Sequence, residues 1–276
     1  MTAAHELRAA GLCLAYDGRE VITGLDLALP PGAVTAVVGP NGCGKSTLLR
    51  GLARLLRPAG GSVLLDGRPL HSLPSREVAR TIGILPQSPT APEGITVADL
   101  VGRGRHPHQG WFRQWDAADD GVVAAALDAT GTLELASRRV DELSGGQRQR
   151  VWIAMALAQD PDILLLDEPT TFLDVTHQLE VLDLLADLNR QRGTTVAMVL
   201  HDLNLAARYA DHLVVMCEGE ITALGRPDEV LTAELVADAF ALQARVVPDP
   251  VTGSPMVVPI GRSGAVRRPA AGLGLP

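Results

Sequence analysis

Nine consecutive residues, Gly39, Pro40, Asn41, Gly42, Cys43, Gly44, Lys45, Ser46 and Thr47, combine three glycines with a lysine and two hydroxyls. They match the pattern G-x-x-x-x-G-K-[S/T], whose chemistry is the gripping of phosphate. Glycines let successive backbone N–H groups turn inward around phosphate oxygens, and the helix that follows presents the positive end of its dipole. Lys45 then reaches the terminal phosphates as a point charge, and the Ser46 hydroxyl is placed to ligate Mg²⁺. A second group, Asp167 and Glu168, follows the apolar run Ile163-Leu-Leu-Leu. That puts two carboxylates at the C-terminal end of a buried strand, the edge where open α/β sheets bind ligands. There Asp167 would help hold Mg²⁺, and Glu168 would face the γ-phosphate as general base for a water. A third group is Leu143, Ser144, Gly145, Gly146 and Gln147 at the start of a helix. A hydroxyl and glycine N–H groups at a helix N-terminus make another anion cradle.

These residues need a framework that brings them to one edge. Val34 to Val38 is a continuous apolar run, the pattern of a fully buried parallel strand. Behind it Leu48, Leu49, Leu52, Leu55 and Leu56 repeat with helical spacing, so a strand–loop–helix unit is expected over roughly 34–56. Ile82 to Leu85 reads as a strand stopped by Pro86, and Ile163 to Leu166 and Thr195 to Leu200 as further buried strands. Between the last two, Leu179, Leu182, Leu185 and Leu188 mark a helix. Strands alternating with helices imply a mostly parallel sheet covered on both faces. Residues 7–35 instead alternate apolar and polar, which predicts antiparallel strands with one covered face. From about 88 to 160 the texture is loop, then helix: Asp116 can cap a helix carrying Val122, Val123, Ala126 and Leu127, and Ser144 one carrying Val151, Ala154, Met155 and Leu157. His212 to Met216 and Glu220 to Thr222 read as a closing hairpin, with a short helix near 232–240. From Gly261 onward the chain is rich in Gly, Pro, Ala and Arg without period, which predicts a disordered tail with Arg267 and Arg268 as solvated charge.

Composition narrows the function classes. With 276 residues, 46% of them hydrophobic, the chain can bury a large core. A net charge of −8 argues against a nucleic-acid footprint, with Arg103, Arg105 and His106 as one local basic patch. Cys13, Cys43 and Cys217 form no C-x-x-C pair, so neither a disulfide framework nor a zinc site is supported. No apolar run approaches the ~20 residues that span a bilayer, and Met1 to Glu6 lack the basic region and apolar core of a secretory signal.

The Leu143–Gln147 string, with the phosphate loop before it and Asp167-Glu168 after it, closely resembles the ABC ATPases, of which Leu-Ser-Gly-Gly-Gln is the defining sequence. The resemblance covers roughly residues 7–240. It implies an α/β fold: a RecA-like P-loop NTPase core with a mostly parallel sheet, an N-terminal antiparallel β part and an inserted α-helical subdomain. The ABC ATPase domain would span 1–260, its core 1–87 and 161–260 and its helical subdomain about 88–160, with 261–276 as the tail. By the same resemblance Tyr16 stacks on adenine, and Gln87 touches Mg²⁺ and the attacking water and senses the permease. His201 contacts the γ-phosphate, and Leu173-Asp174 signal across a dimer. Ser144, Gly145, Gly146 and Gln147 would close over the ATP of the opposite subunit. The implied cofactors are ATP and Mg²⁺. The implied partners are a second copy in an ATP-sandwich homodimer, integral membrane permease subunits and, indirectly, a substrate-binding lipoprotein, with no nucleic acid. The location would be the cytoplasmic face of a bacterial membrane, held there peripherally.

Cargo is read from similarity alone. Gly102-Arg-Gly-Arg-His-Pro-His108, Leu85-Pro-Gln-Ser and Thr170-Thr-Phe-Leu-Asp174 resemble the ATPases of bacterial iron(III)–siderophore importers. Haem and cobalamin importers are close relatives and stay open as alternatives. Non-transport ABC ATPases are the third class: the DNA-repair kind carries a long coiled coil and the ribosome-associated kind two cassettes, and the chain shows neither pattern. Two positions vary from the family pattern, Cys43 in the phosphate loop and Phe172 beside Leu173. Cys43 has two open readings, an oxidisable thiol at a helix N-terminus or a buried inert one. Trp111, Phe112 and Trp115 likewise fit either an apolar patch for the permease or a local core.

Overall fold

Alternating burial sets the first layer of the protein. In β1 (Leu7–Tyr16) the side chains of Leu7, Ala9, Leu12 and Leu14 are buried, and in β2 (Arg19–Leu29) those of Ile22, Leu25, Leu27 and Leu29. The two strands pair antiparallel, with an irregularity between Ala9 and Leu12 where Gly11 takes a positive φ. The computed structural model describes residues 5–109 and 117–260. The expected cap at Asp116, the aromatic group Trp111, Phe112 and Trp115, and the tail 261–276 lie outside the described residues.

In chain order there follow β3 (Val34–Val38), α1 (Lys45–Leu52), β4 (Gly60–Leu65), β5 (Arg68–Pro69), α2 (Ser75–Thr81), β6 (Ile82–Leu85), α3 (Val97–Gly102), α4 (Ala117–Ala129) and α5 (Gly145–Ala158). The second half runs β7 (Ile163–Asp167), α6 (Val175–Arg192), β8 (Thr195–Val199), α7 (Leu203–Tyr209), β9 (His212–Cys217), β10 (Glu220–Gly225), α8 (Pro227–Val230), α9 (Ala233–Phe240), β11 (Ala244–Pro248) and β12 (Pro255–Pro259). One sheet has the order β2-β1-β4-β5 and is antiparallel; the central sheet has the order β10-β9-β3-β8-β7-β6. Within the central sheet every pair is parallel except the hairpin β9–β10.

Period two explains why the central strands read as solid apolar runs. Val37, Leu165, Ala197, Val199, Val214 and Met216 pack with Leu48, Leu49 and Leu52 of α1 and with the buried face of the antiparallel sheet. Their neighbours Val38, Leu164, Leu166, Val196, Met198 and Val215 pack on the opposite side with Val151 and Ile153 of α5 and Leu182 and Leu185 of α6. Both faces are covered, so both phases of each strand must be apolar. This is an α/β fold with a mostly parallel sheet and an N-terminal antiparallel sheet.

The structure departs from the sequence reading at α1. The helix stops at Leu52, and Arg54 enters the left-handed region with φ +63°. The Leu55 N–H donates to the Arg50 carbonyl and the Arg54 N–H to that of Gly51, the two bonds of a Schellman stop. Leu55 is therefore 59% exposed instead of continuing the apolar stripe. Several elements had no strong signal, among them β4 and β5, which complete the antiparallel sheet, helices α2 and α7, and the C-terminal hairpin β11–β12. Asn204 of α7 holds that hairpin, its Nδ2 donating to the Val257 carbonyl and its Oδ1 accepting from the Val257 N–H.

Candidate functional site

The loop between β3 and α1 is shaped by backbone that only glycine takes without strain. Gly39, Gly42 and Gly44 have φ of +154°, +79° and +105°, and a methyl on Gly39 would lie 2.2 Å from the Met216 carbonyl oxygen. Lys45 opens α1 and is 5% exposed. Its ammonium donates to the carbonyls of Gly39 and Pro40, each at 2.8 Å, so the buried charge is satisfied by its own loop. Cys43 is buried, and burial pushes its thiol up from the usual value more strongly than Lys45 draws it down. Of its two readings, the inert thiol is the one this environment favours.

At the end of β7 the two carboxylates point to different tasks. Asp167 is buried and accepts a hydrogen bond from the Ser46 hydroxyl at 2.8 Å. Burial raises its carboxyl above the usual range, and the neighbouring Glu168 adds to this against the Ser46 bond. Glu168 sits at φ +56°, a left-handed conformation that costs a side-chain-bearing residue energy and recurs at functional sites. Its Oε1 lies 2.7 Å from His201 Nε2 and accepts from Gln87 Nε2 at 2.7 Å, while its Oε2 accepts from the Thr171 hydroxyl at 3.1 Å. Burial alone would raise this carboxyl, but donation from His201 and Gln87 outweighs it and holds the group below its ordinary value.

Asn41, Gly42, Gly44, Lys45, Ser46, Thr47, Gln87, Glu168 and His201 thus line one cleft of about 690 Å³ together with Val21. A second hollow of about 510 Å³ shares Val21 and Gly42 with it and is lined by Tyr16. The Tyr16 ring is 39% exposed, and its hydroxyl accepts from Arg50 Nη1 at 3.2 Å. An elongated polyanion with a flat ring at one end fits this pair of hollows, with glycine N–H groups and Lys45 at one end and Tyr16 at the other. The donor set of Ser46, Asp167 and Gln87 is all oxygen, the kind a hard divalent cation takes. A carboxylate whose ionised form is penalised by burial is also one that a cation would relieve. Among the described residues no group of three or more His, Cys, Asp or Glu side chains could hold a metal ion by itself.

The sign of the Asp167 shift gives a test. A carboxyl raised by folding costs stability when ionised, so the cost is present at neutral pH and disappears below the ordinary carboxylate range. Asp167→Asn removes the charge and keeps an oxygen for the Ser46 hydroxyl. The ligand-free variant is expected to melt at a higher temperature than the parent at pH 7, with the difference shrinking toward about pH 3. Thermal melts across pH decide this; equal melting temperatures at pH 7 would refute it.

Ser144, Gly145, Gly146 and Gln147 do not line this cleft. Ser144 caps α5 in a reciprocal box: its hydroxyl oxygen accepts from the Gln147 N–H at 3.2 Å, and Gln147 Oε1 accepts from the Ser144 N–H at 3.1 Å. The first-turn N–H groups of Gly145 and Gly146 precede the helical ladder and remain to meet an anion. Nearby Phe172, with φ +66°, is 79% exposed. Asp174 caps α6, accepting from the N–H and Nδ1 of His177 at 2.9 and 2.8 Å. The His177 N–H is the first cause holding the Asp174 carboxyl below its usual value.

Three contributors escaped the sequence reading. Thr171 could have been found, because it stands three residues beyond Glu168 in a tight turn whose N–H bonds the Glu168 carbonyl. Val21 and Arg50 carried no signal, since one is an ordinary strand residue and the other an ordinary helix residue.

Comparison with known proteins agrees with this geometry. The family model described as ABC transporter matches residues 22–171. The probable siderophore transport system ATP-binding protein of Bacillus subtilis (strain 168) is 54% identical over 260 residues, covering 94% of each chain. The ferric enterobactin transport ATP-binding protein of Escherichia coli (strain K12) is 53% identical over 257 residues, 93% of this chain and 95% of that one. A solved structure of a putative metal-chelate type ABC transporter in an inward-facing conformation superposes with a TM-score of 0.79 at 31% identity, covering 94% of this chain and 98% of that chain.

Proposed function

The chain belongs to the ABC transporter family, and from that premise we propose that it is the ATP-hydrolysing subunit of an importer for iron(III)–siderophore complexes. No helix among the described residues is long and apolar enough to cross a membrane, so cargo would pass through separate permease subunits. The reading places the chain on the cytoplasmic face of the membrane beneath those subunits, with a substrate-binding lipoprotein delivering cargo from the other side. One observation carries the chemistry: Glu168 is fixed by His201, Gln87 and Thr171 at the mouth of a glycine cradle that holds Lys45.

In this reading ATP lies along the joined hollows, its adenine against Tyr16 and its phosphates over the N–H groups of residues 39–47. Lys45 trades its carbonyl partners for the terminal phosphates. Ser46, Asp167 and Gln87 would hold Mg²⁺, which when bound neutralises charge on the phosphate oxygens. Glu168 orients a water toward the γ-phosphate and accepts its proton, and His201 steadies Glu168 and the γ-phosphate together. Ser144 and the glycine N–H groups behind it lie outside the cleft of their own chain. As the family resemblance implies, they would close over the nucleotide of a second copy, with Leu173-Asp174 beside that junction, and hydrolysis would let the pair reopen.

Cargo is tested in the cell. A strain lacking this chain is expected to lose growth when a ferric siderophore is the sole iron source, and to regain it when the gene is restored. Normal growth on every siderophore, with growth lost on haem or on a cobalamin-dependent medium, would move the chain to one of the related importers.

A further inference from the structure

The turn that follows β7 holds two side-chain-bearing residues in the left-handed region, Glu168 at φ +56° and Phe172 at φ +66°. Such conformations persist only where the surrounding structure over-determines them. The turn's own backbone bonds are a weak source of that constraint. The Thr171 N–H donates to the Glu168 carbonyl at 3.2 Å and the Leu173 N–H to that of Thr170 at 3.3 Å, both at the long end for such bonds. Two glutamines from the flanking helices reinforce them. Gln178 of α6 donates from Nε2 to the carbonyls of Leu173 and Thr170 at 3.1 and 3.4 Å. Gln149 of α5 is 7% exposed and donates from Nε2 to the carbonyl of Pro169, also buried, at 3.1 Å. A buried carbonyl without a partner is costly, so this bond fixes where the Pro169 carbonyl points.

Fixing that carbonyl constrains Glu168 directly. The proline ring locks its own φ, and peptide bonds are planar. Only the ψ angles of Glu168 and Pro169 therefore separate the anchored carbonyl from the Glu168 Cα. From there the carboxylate meets Gln87 Nε2 and His201 Nε2, both at 2.7 Å. Gln149 itself does not line the cleft. It stands on the helix that begins at the Ser144 cap, about 7.5 Å along the axis from it. The first turn of that helix also lies against the Glu168 turn, since a Cβ on Gly146 would come 3.3 Å from Leu173 Cδ2.

We propose that Gln149 is a positioning residue for the general base, holding the Pro169 carbonyl so that Glu168 stays in the conformation that faces Gln87 and His201. The inference rests on the reading of Glu168 as the base. Gln149 touches neither the phosphate loop nor the carboxylate and acts through Pro169. Because it rides on α5, a displacement of the helix that presents Ser144 reaches Glu168 through this one hydrogen bond.

The test uses the purified full chain and Gln149→Met, which keeps the length of the side chain and loses its donor. Single-turnover ATP hydrolysis is expected to fall at least tenfold, with the dissociation constant for ATP within twofold of the parent. If this variant fails to fold, Gln149→Asn, polar but too short to reach Pro169, carries the same expectation; failure of both to fold makes Gln149 a purely structural residue and overturns the proposal. Combination with Glu168→Gln supplies the readout that a merely structural role would not give. Once the carboxylate is gone, Gln149→Met should slow hydrolysis by no more than a further twofold, and the ATP-loaded double variant should still elute as a dimer. A further tenfold loss in the double variant, a lost dimer, or ATP binding that weakens in step with turnover overturns the proposal. Parental turnover in folded Gln149→Met, beside a stalled Glu168→Gln, overturns it and leaves the base reading intact. Parental turnover in Glu168→Gln overturns both.

Discussion

Replacing Glu168 by glutamine is expected to slow ATP turnover by about 10²–10⁴-fold while leaving nucleotide binding intact, the usual cost of losing a positioned general base. The structure makes this substitution unusually clean. Glu168 Oε1 accepts from Gln87 and faces His201 Nε2, both at 2.7 Å, and a glutamine carbonyl oxygen can keep both contacts. On the other side the Thr171 hydroxyl now donates to Oε2; it would turn to accept from the new amide. The geometry therefore survives and only the proton acceptor is lost. ATP should then remain unhydrolysed between two copies, so the ATP-loaded variant is expected to elute as a dimer in gel filtration where the parent does not persist as one. Single-turnover hydrolysis at the parental rate would take the base role away from Glu168.

Gly145→Asp should be as damaging by a different route. A Cβ at Gly145 meets nothing closer than the Phe172 Cβ at 3.6 Å, an ordinary contact, so the residue fits. A carboxylate in the first turn of α5 also favours the helix, because it faces the positive end of the dipole. The chain should fold as well as the parent and bind ATP in its own glycine cradle with unchanged affinity. If a triphosphate from a second copy must come against this helix end, the new charge opposes it. Like charges brought together at an interface cost several kcal/mol, which corresponds to a loss of roughly 10²–10³-fold in turnover. Equilibrium ATP binding measured beside steady-state hydrolysis separates the two effects. Parental turnover in this variant would show that Ser144 and its glycines meet no nucleotide.

How far the sequence reached depended on how local each interaction is. The phosphate loop was legible because its chemistry is contiguous: the glycines, Lys45 and Ser46 act through neighbouring backbone, and β3 and α1 flank them within twenty residues. The cap at Ser144 was legible for the same reason, since its partner Gln147 is three residues away. Buried strands such as Ile163–Asp167 announced themselves because two covered faces leave no polar phase. The end of α1 was not legible, because the leucine spacing continues to Leu56 while the chain turns at Arg54.

By itself, then, the sequence determined which segments carry a phosphate-loop pattern, which strands fill the centre and which family the chain resembles, all from patterns that close within a turn or a strand. Tertiary structure decided what those groups touch. Gln87 reaches Glu168 across 81 positions and Ser46 reaches Asp167 across 121. Gln149 of α5 meets the Pro169 carbonyl, and Tyr16 meets Arg50. Such pairs leave no periodic trace, because their energy depends on where the folded backbone brings distant atoms and not on the spacing between them in the chain.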